Sequence, residues 1–120
     1  DRPGSFLEPT ILTNITPDVP TYYEEIFGPV ASVIKVKDVS EAVEVANATN
    51  FGLGASIYTS NMDTAASLIP QIEAGSVFVN SMVKSDPRLP FGGIKNSGIG
   101  RELSAEGART FTNVKTVYIK

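Results

Sequence analysis

Apolar positions along the chain alternate between strand-like runs and helical stripes. The run FLEPTILTNI (Phe6–Ile15) is rich in β-formers and carries Pro9, which suits an edge strand or a strand start. A proline-punctuated loop follows over Thr16–Tyr23, and ASVIKVK (Ala31–Lys37) predicts a strand. In DVSEAVEVANATN the residues Val39, Ala42, Val43 and Ala46 recur at i, i+3, i+4 and i+7, one face of a helix. Asp38 followed by Glu41 forms a capping-box start, in which Asp38 accepts an orphan N–H and Glu41 reaches back. Asn50 and Gly52 provide the stop.

LGASIYT (Leu53–Thr59) predicts the next strand. Asn61 then caps a second helix with Met62, Ala65, Leu68, Ile69 and Ile72 on one stripe. Pro70 lies inside it. A proline there removes a hydrogen bond and clashes with the preceding turn, costing roughly 3 kcal/mol in a straight helix. The helix is therefore expected to kink or end near Ile69. Gly75 closes this unit and SVFVN (Ser76–Asn80) predicts a third strand. The resulting order is β-α-β-α-β, and connections through helices imply parallel strands. The expected fold class is α/β, a parallel sheet with βαβαβ crossovers. Its strands VIKV and VFV are short apolar runs, as strands covered on both faces should be.

From Ser81 to Arg101 the periodicity vanishes. The run SMVKSDPRLPFGGIKNSGIGR has Leu89 and Phe91 as apolar anchors, so a long ordered loop is expected. A short helix is predicted from about Ser104 to Arg109. The closing FTNVKTVYIK alternates imperfectly and predicts a half-exposed strand.

Composition narrows the chemistry. The chain has 120 residues, 42% hydrophobic and 19% charged, the size and makeup of a single folded domain. Its net charge of −3 argues against nucleic acid as a partner. It has neither cysteine nor histidine. Disulfides, thiol nucleophiles, Cys/His metal sites and His-based triads are thereby excluded from these residues. No run reaches the roughly 18–20 apolar residues of a membrane span, and DRPGSFLEPT lacks the apolar core of a signal peptide. No membrane association and a cytoplasmic location are expected.

Three stretches carry candidate chemistry. Gly92–Arg101 has the glycine density of a phosphate loop, but after Gly93-x-x-x-x-Gly98 comes Ile-Gly rather than Lys-Ser/Thr. Glycines granting positive φ in a tight loop explain it better. Lys84, Ser85, Asp86 and Arg88 form either a solvated charged loop or an anion site, with Arg88 offering a bidentate fork and Ser85 a hydroxyl. In EEIFGPV (Glu24–Val30), Glu25 is either an exposed turn carboxylate or an acceptor for a ligand's paired hydroxyls, with Phe27 as a flat wall.

Taken in series, EEIFGPV, FGLGASIYT with EAGSVFVN, and PFGGIKNSGIGRE resemble the C-terminal part of the aldehyde dehydrogenase superfamily. FTNVKTVYIK resembles that family's closing strand, so the resemblance covers essentially the whole chain. The loop MVKSDPRLPFGG further resembles the succinate-semialdehyde branch. The resemblance implies that residues 1–110 are the C-terminal half of the catalytic domain and 111–120 an oligomerisation strand. It implies that Glu25 binds the nicotinamide-ribose hydroxyls of NAD or NADP, turned inward, with Phe27 beside the nicotinamide. Ser85, Arg88 and Phe91 would contact the aldehyde, the first two at its far carboxylate. The implied activity is oxidation of an aldehyde, succinate semialdehyde in this branch, to the acid with NAD(P)+.

The family's nucleophilic cysteine and general-base glutamate have no counterpart here, so no catalytic residue and no metal ligand is assigned. The chain alone is expected to be an inactive fragment. Its implied partners are the aldehyde, the remainder of the enzyme chain and identical subunits in a dimer or tetramer. Pro70 departs from the family's uninterrupted helix. The alternative is a standalone, non-catalytic assembly or binding module.

Overall fold

The computed structural model describes residues 3–120. The chain divides into two compact units, one running up to Asn50 and one spanning Phe51–Lys120. In the first, β1 (Thr10–Leu12) pairs in parallel with β2 (Val30–Ser32), Thr10 opposite Val30. Pro9 sits immediately before β1, where its missing N–H costs no ladder bond. The expected strand over Ala31–Lys37 is cut short. One further bond, from Val33 N–H to the Leu12 carbonyl at 2.9 Å, extends the ladder. Beyond it the partner is gone, because β1 ends and Asn14 adopts a left-handed φ of 56°.

Helix α1 (Val39–Asn47) starts at the expected cap: Asp38 Oδ1 accepts from Glu41 N–H at 2.9 Å. The reciprocal arm differs from an ideal capping box. Glu41 Oε2 reaches one residue further back and accepts from Lys37 N–H at 2.6 Å. Of the predicted stripe, Ala42 and Val43 are half-buried while Val39 and Ala46 remain exposed.

The second unit holds β3 (Phe51–Gly52), β4 (Gly54–Ile57), α2 (Met62–Leu68), β5 (Ser76–Val79), β6 (Ile94–Lys95) and α3 (Ser104–Thr110). The crossover β4–α2–β5 is the predicted parallel unit, in register from Gly54–Ser76 to Ile57–Val79. β3 and β6 form a separate antiparallel pair. β2 pairs with β1 of its own unit, so among the described residues the strands form three two-stranded sheets rather than one ladder.

Asn61 caps α2, its side chain accepting from Thr64 N–H at 3.0 Å. Pro70 acts as expected: α2 stops at Leu68, and Ile69–Gln71 tighten into a 3-10 turn, which tolerates proline near its start. The segment 113–120 pairs with no strand among the described residues. Its apolar side chains stand exposed, Val114 at 95%. A strand exists only through its partner, so the alternation alone does not make one.

Burial is sparse. Among the described residues Ala65, at 1% exposure, is the one buried hydrophobic side chain. Yet all four residues of β5 are half-buried, on both faces, the pattern of a strand meant to lie inside a layered fold. Among the described residues no helix is long and apolar enough to cross a membrane.

Uncovered strand edges and apolar faces drive association. The isolated 120-residue chain is expected to self-associate in sedimentation velocity; a clean monomer at high concentration would contradict this.

Candidate functional site

The glycine-rich stretches converge on one backbone junction. Gly75 N–H donates to the Gly52 carbonyl at 3.0 Å. A Cβ on Gly75 would lie 1.7 Å from the Gly92 carbonyl oxygen, and one on Gly52 would lie 2.7 Å from that of Glu73. The segments FGLG, EAG and FGG therefore meet where side chains have no room. Ser97 Oγ accepts from Gly52 N–H at 2.9 Å, and Lys95 Nζ pairs with Glu73 Oε2 at 2.6 Å. Arg101 ties the turn: its Nη1 donates to the carbonyls of Gly93 at 3.0 Å and Gly100 at 2.7 Å. Gly98 and Gly100 take φ of 147° and 81°, as a glycine-permitted turn requires.

This junction closes the far end of the loop 81–91. Phe91 exchanges backbone bonds with Glu102, at 2.9 and 2.8 Å. The near end is held by Asn80. Its left-handed φ of 50° turns the chain out of β5. Its side-chain amide continues the ladder beyond the strand, accepting from Thr59 N–H and donating to Thr59 O, both at 2.9 Å. Asparagine tolerates that φ and carries an amide that mimics the backbone. Those two properties are the sequence signal for Asn80, which pattern reading takes only as the end of a strand.

Between these anchors, Asp86 organises the loop. Its Oδ1 accepts from Arg88 N–H and from Arg88 Nε, each at 2.9 Å, and its Oδ2 from Nη2 at 2.6 Å. The guanidinium thus holds a carboxylate side-on, but one supplied by the chain itself. This pairing keeps the Asp86 carboxyl below the usual Asp range and raises Arg88. Asp-Pro-Arg is a turn in which residues two apart face each other, the signal that identifies the pair.

A cleft of about 440 Å³ opens beside β5. Phe78, Ser81, Lys84, Asp86, Leu89 and Phe91 line it. Of the predicted substrate-side residues, Phe91 is in this wall; Ser85 and Arg88 are not, and the Arg88 side chain is 85% exposed. Glu25 and Phe27 belong to the first unit, in the loop before β2. Both are exposed, Phe27 at 92%. Within these residues Glu25 is exposed rather than turned inward. The pair still fits a nicotinamide nucleotide chemically: the carboxylate accepts from hydroxyls, and an open ring face stands two residues away. Among the described residues no cluster of three or more His, Cys, Asp or Glu is placed to hold a metal.

Comparison with known proteins gives a consistent picture. The model of the aldehyde dehydrogenase family matches residues 1–117. Succinate-semialdehyde dehydrogenase [NADP(+)] 1 of Mycobacterium tuberculosis (strain ATCC 25618 / H37Rv) is 55% identical over 119 residues, 99% of this chain and 26% of the relative. A probable succinate-semialdehyde dehydrogenase [NADP(+)] of Synechocystis is 54% identical over the same share. The crystal structure of succinic semialdehyde dehydrogenase from Streptococcus pyogenes, in complex with NADP+, superposes with a TM-score of 0.93 at 51% identity. It covers 99% of this chain and 26% of its own. The chain thus spans about a quarter of the length of the relatives it matches.

Two outcomes test this geometry. Gly75→Ala forces the Gly92 carbonyl away and should lower stability by roughly 2–3 kcal/mol in denaturant melts; an unchanged midpoint would refute the junction. Asp86 has a depressed folded pKa, so its pairing contributes above the ordinary Asp value and is lost only as pH falls through the lower folded value. Carboxyl NMR should find a low Asp86 midpoint that Arg88→Gln moves back up; an ordinary midpoint in the unaltered protein would contradict the pairing.

Proposed function

The chain belongs to the aldehyde dehydrogenase family, and we propose that it is part of an NADP-dependent succinate-semialdehyde dehydrogenase, oxidising that aldehyde to the acid. The observation that carries this reading is the 55% identity across 119 residues with a relative of that name, a span that includes the loop 81–91. The chain has no cysteine, so the thiol that the family's chemistry needs comes from further polypeptide.

In this reading residues 1–110 belong to the catalytic domain and 111–120 form an assembly strand between subunits. Phe91 walls the aldehyde site, with Ser85 and Arg88 at its polar end. Arg88 has five donors, so Asp86 leaves its Nη1 edge available to a second carboxylate. When bound, the nicotinamide supplies the hydride acceptor. Glu25 holds the ribose hydroxyls as a pure acceptor, and Phe27 limits the swing of the ring. Such restraint matters because hydride transfer requires donor and acceptor carbons in a near-attack geometry.

Expression of the complete reading frame should yield NADP+-dependent oxidation of succinate semialdehyde, followed by NADPH absorbance. Absence of turnover in a folded product would overturn the reading, and a genuine start codon near Asp1 would favour a non-catalytic assembly module. Glu25→Gln removes one charged acceptor without changing shape. It should weaken NADP+ binding or slow hydride transfer about tenfold with an unaltered circular dichroism spectrum; unaltered kinetics would remove Glu25 from the site.

A further inference from the structure

The β4–β5 ladder ends on a side chain. Asn80 N–H donates to the Ile57 carbonyl at 2.8 Å, and a φ of 50° at Asn80 then turns the chain out of the sheet. A further parallel rung, at Thr59, would need a carbonyl and an N–H from two successive peptide units of the partner strand. One side-chain amide supplies both: Asn80 Oδ1 accepts from Thr59 N–H, and Nδ2 donates to the Thr59 carbonyl, each at 2.9 Å. The bonding continues on the other side. Thr59 Oγ1 accepts from Asn61 N–H at 3.1 Å, and Asn61 Oδ1 accepts from Thr64 N–H at 3.0 Å in the first turn of α2. A single rung thus fixes two chain exits, one into the loop 81–91 and one into α2.

The position makes two demands, a left-handed φ and an amide of the right reach. Glycine takes the φ but has no amide. Ionised aspartate accepts but cannot donate, and glutamine carries its amide one methylene further out. Resting on the substrate reading above, we propose that Asn80 is a positioning residue for the aldehyde: its rung sets the angle at which the loop 81–91 leaves β5. Its amide bonds Thr59 at both ends, so it acts through the loop and not on a ligand. Loop side chains that meet the aldehyde inherit their place from this root, and a displacement of about 1 Å far from the chemistry is enough to slow a reaction.

The test uses the complete polypeptide. Asn80→Gly keeps the turn and removes the rung. It should raise KM for succinate semialdehyde roughly five- to tenfold while the Kd for NADP+ stays within about twofold. A purely structural loss would instead lower kcat through the folded fraction and leave KM in place. Asn80→Asp keeps the shape and the bond from Thr59 N–H but loses the donor. It should raise the same KM in the same direction, and it carries the test if the glycine variant does not fold. An aldehyde KM within about twofold of the unaltered enzyme would overturn the proposal, as would equal weakening of aldehyde and NADP+. If the unaltered enzyme does not turn over the semialdehyde, the substrate reading itself fails, an outcome separate from either.

Discussion

Burial of apolar surface is the dominant favourable term in folding, and this chain secures little of it alone. Its sheets have two strands each, and its one buried hydrophobic residue, among those described, is the smallest of the class. Large side chains such as Phe27, Phe111 and Val114 are almost fully exposed. The local structure is nonetheless well specified. Helices α1 and α2 carry side-chain caps, the β4–β5 ladder is in full register, and the glycine junction admits no added methyl group. Good local order with absent cover is the signature of elements built to pack against further polypeptide. The match to about a quarter of each relative's length agrees with it.

The same economy explains the loop 81–91. A loop without internal periodicity stays ordered only when it is held at both ends. Asn80 fixes one end through backbone and side chain, and the Gly52–Gly75–Gly92 junction with the Arg101 clamp fixes the other. Within the loop, charge is arranged rather than merely present. The Asp86–Arg88 pair consumes one charge of each sign, and Lys84 lies in the same cleft wall as Asp86. An exposed ion pair adds little stability; its effect here is to fix the turn at Pro87.

What was legible in the sequence was what local physics decides. Asp38 and Asn61 are read correctly as caps because their side chains act within three residues. Pro70 ends α2 because the clash is with its own helix. The parallel β4–α2–β5 unit follows from period and spacing. Pairing partners were not legible. Ala31–Lys37 has strand composition throughout, yet β2 stops where β1 does. The alternation in 111–120 finds no ladder among the described residues. The fork of Arg88 was visible as chemistry, but that Asp86 fills it depends on the turn at Pro87. Glu25 and Phe27 were legible through family resemblance alone, since neither burial nor hydrogen bonding within their unit distinguishes them.

The central claim is that this chain's exposed apolar faces are covered by the remainder of one longer polypeptide. Intact-mass measurement of the polypeptide from its source tests it most directly. The account predicts a mass roughly four times the 12.8 kDa of these 120 residues. A mature, folded polypeptide of 12.8 kDa itself would contradict it.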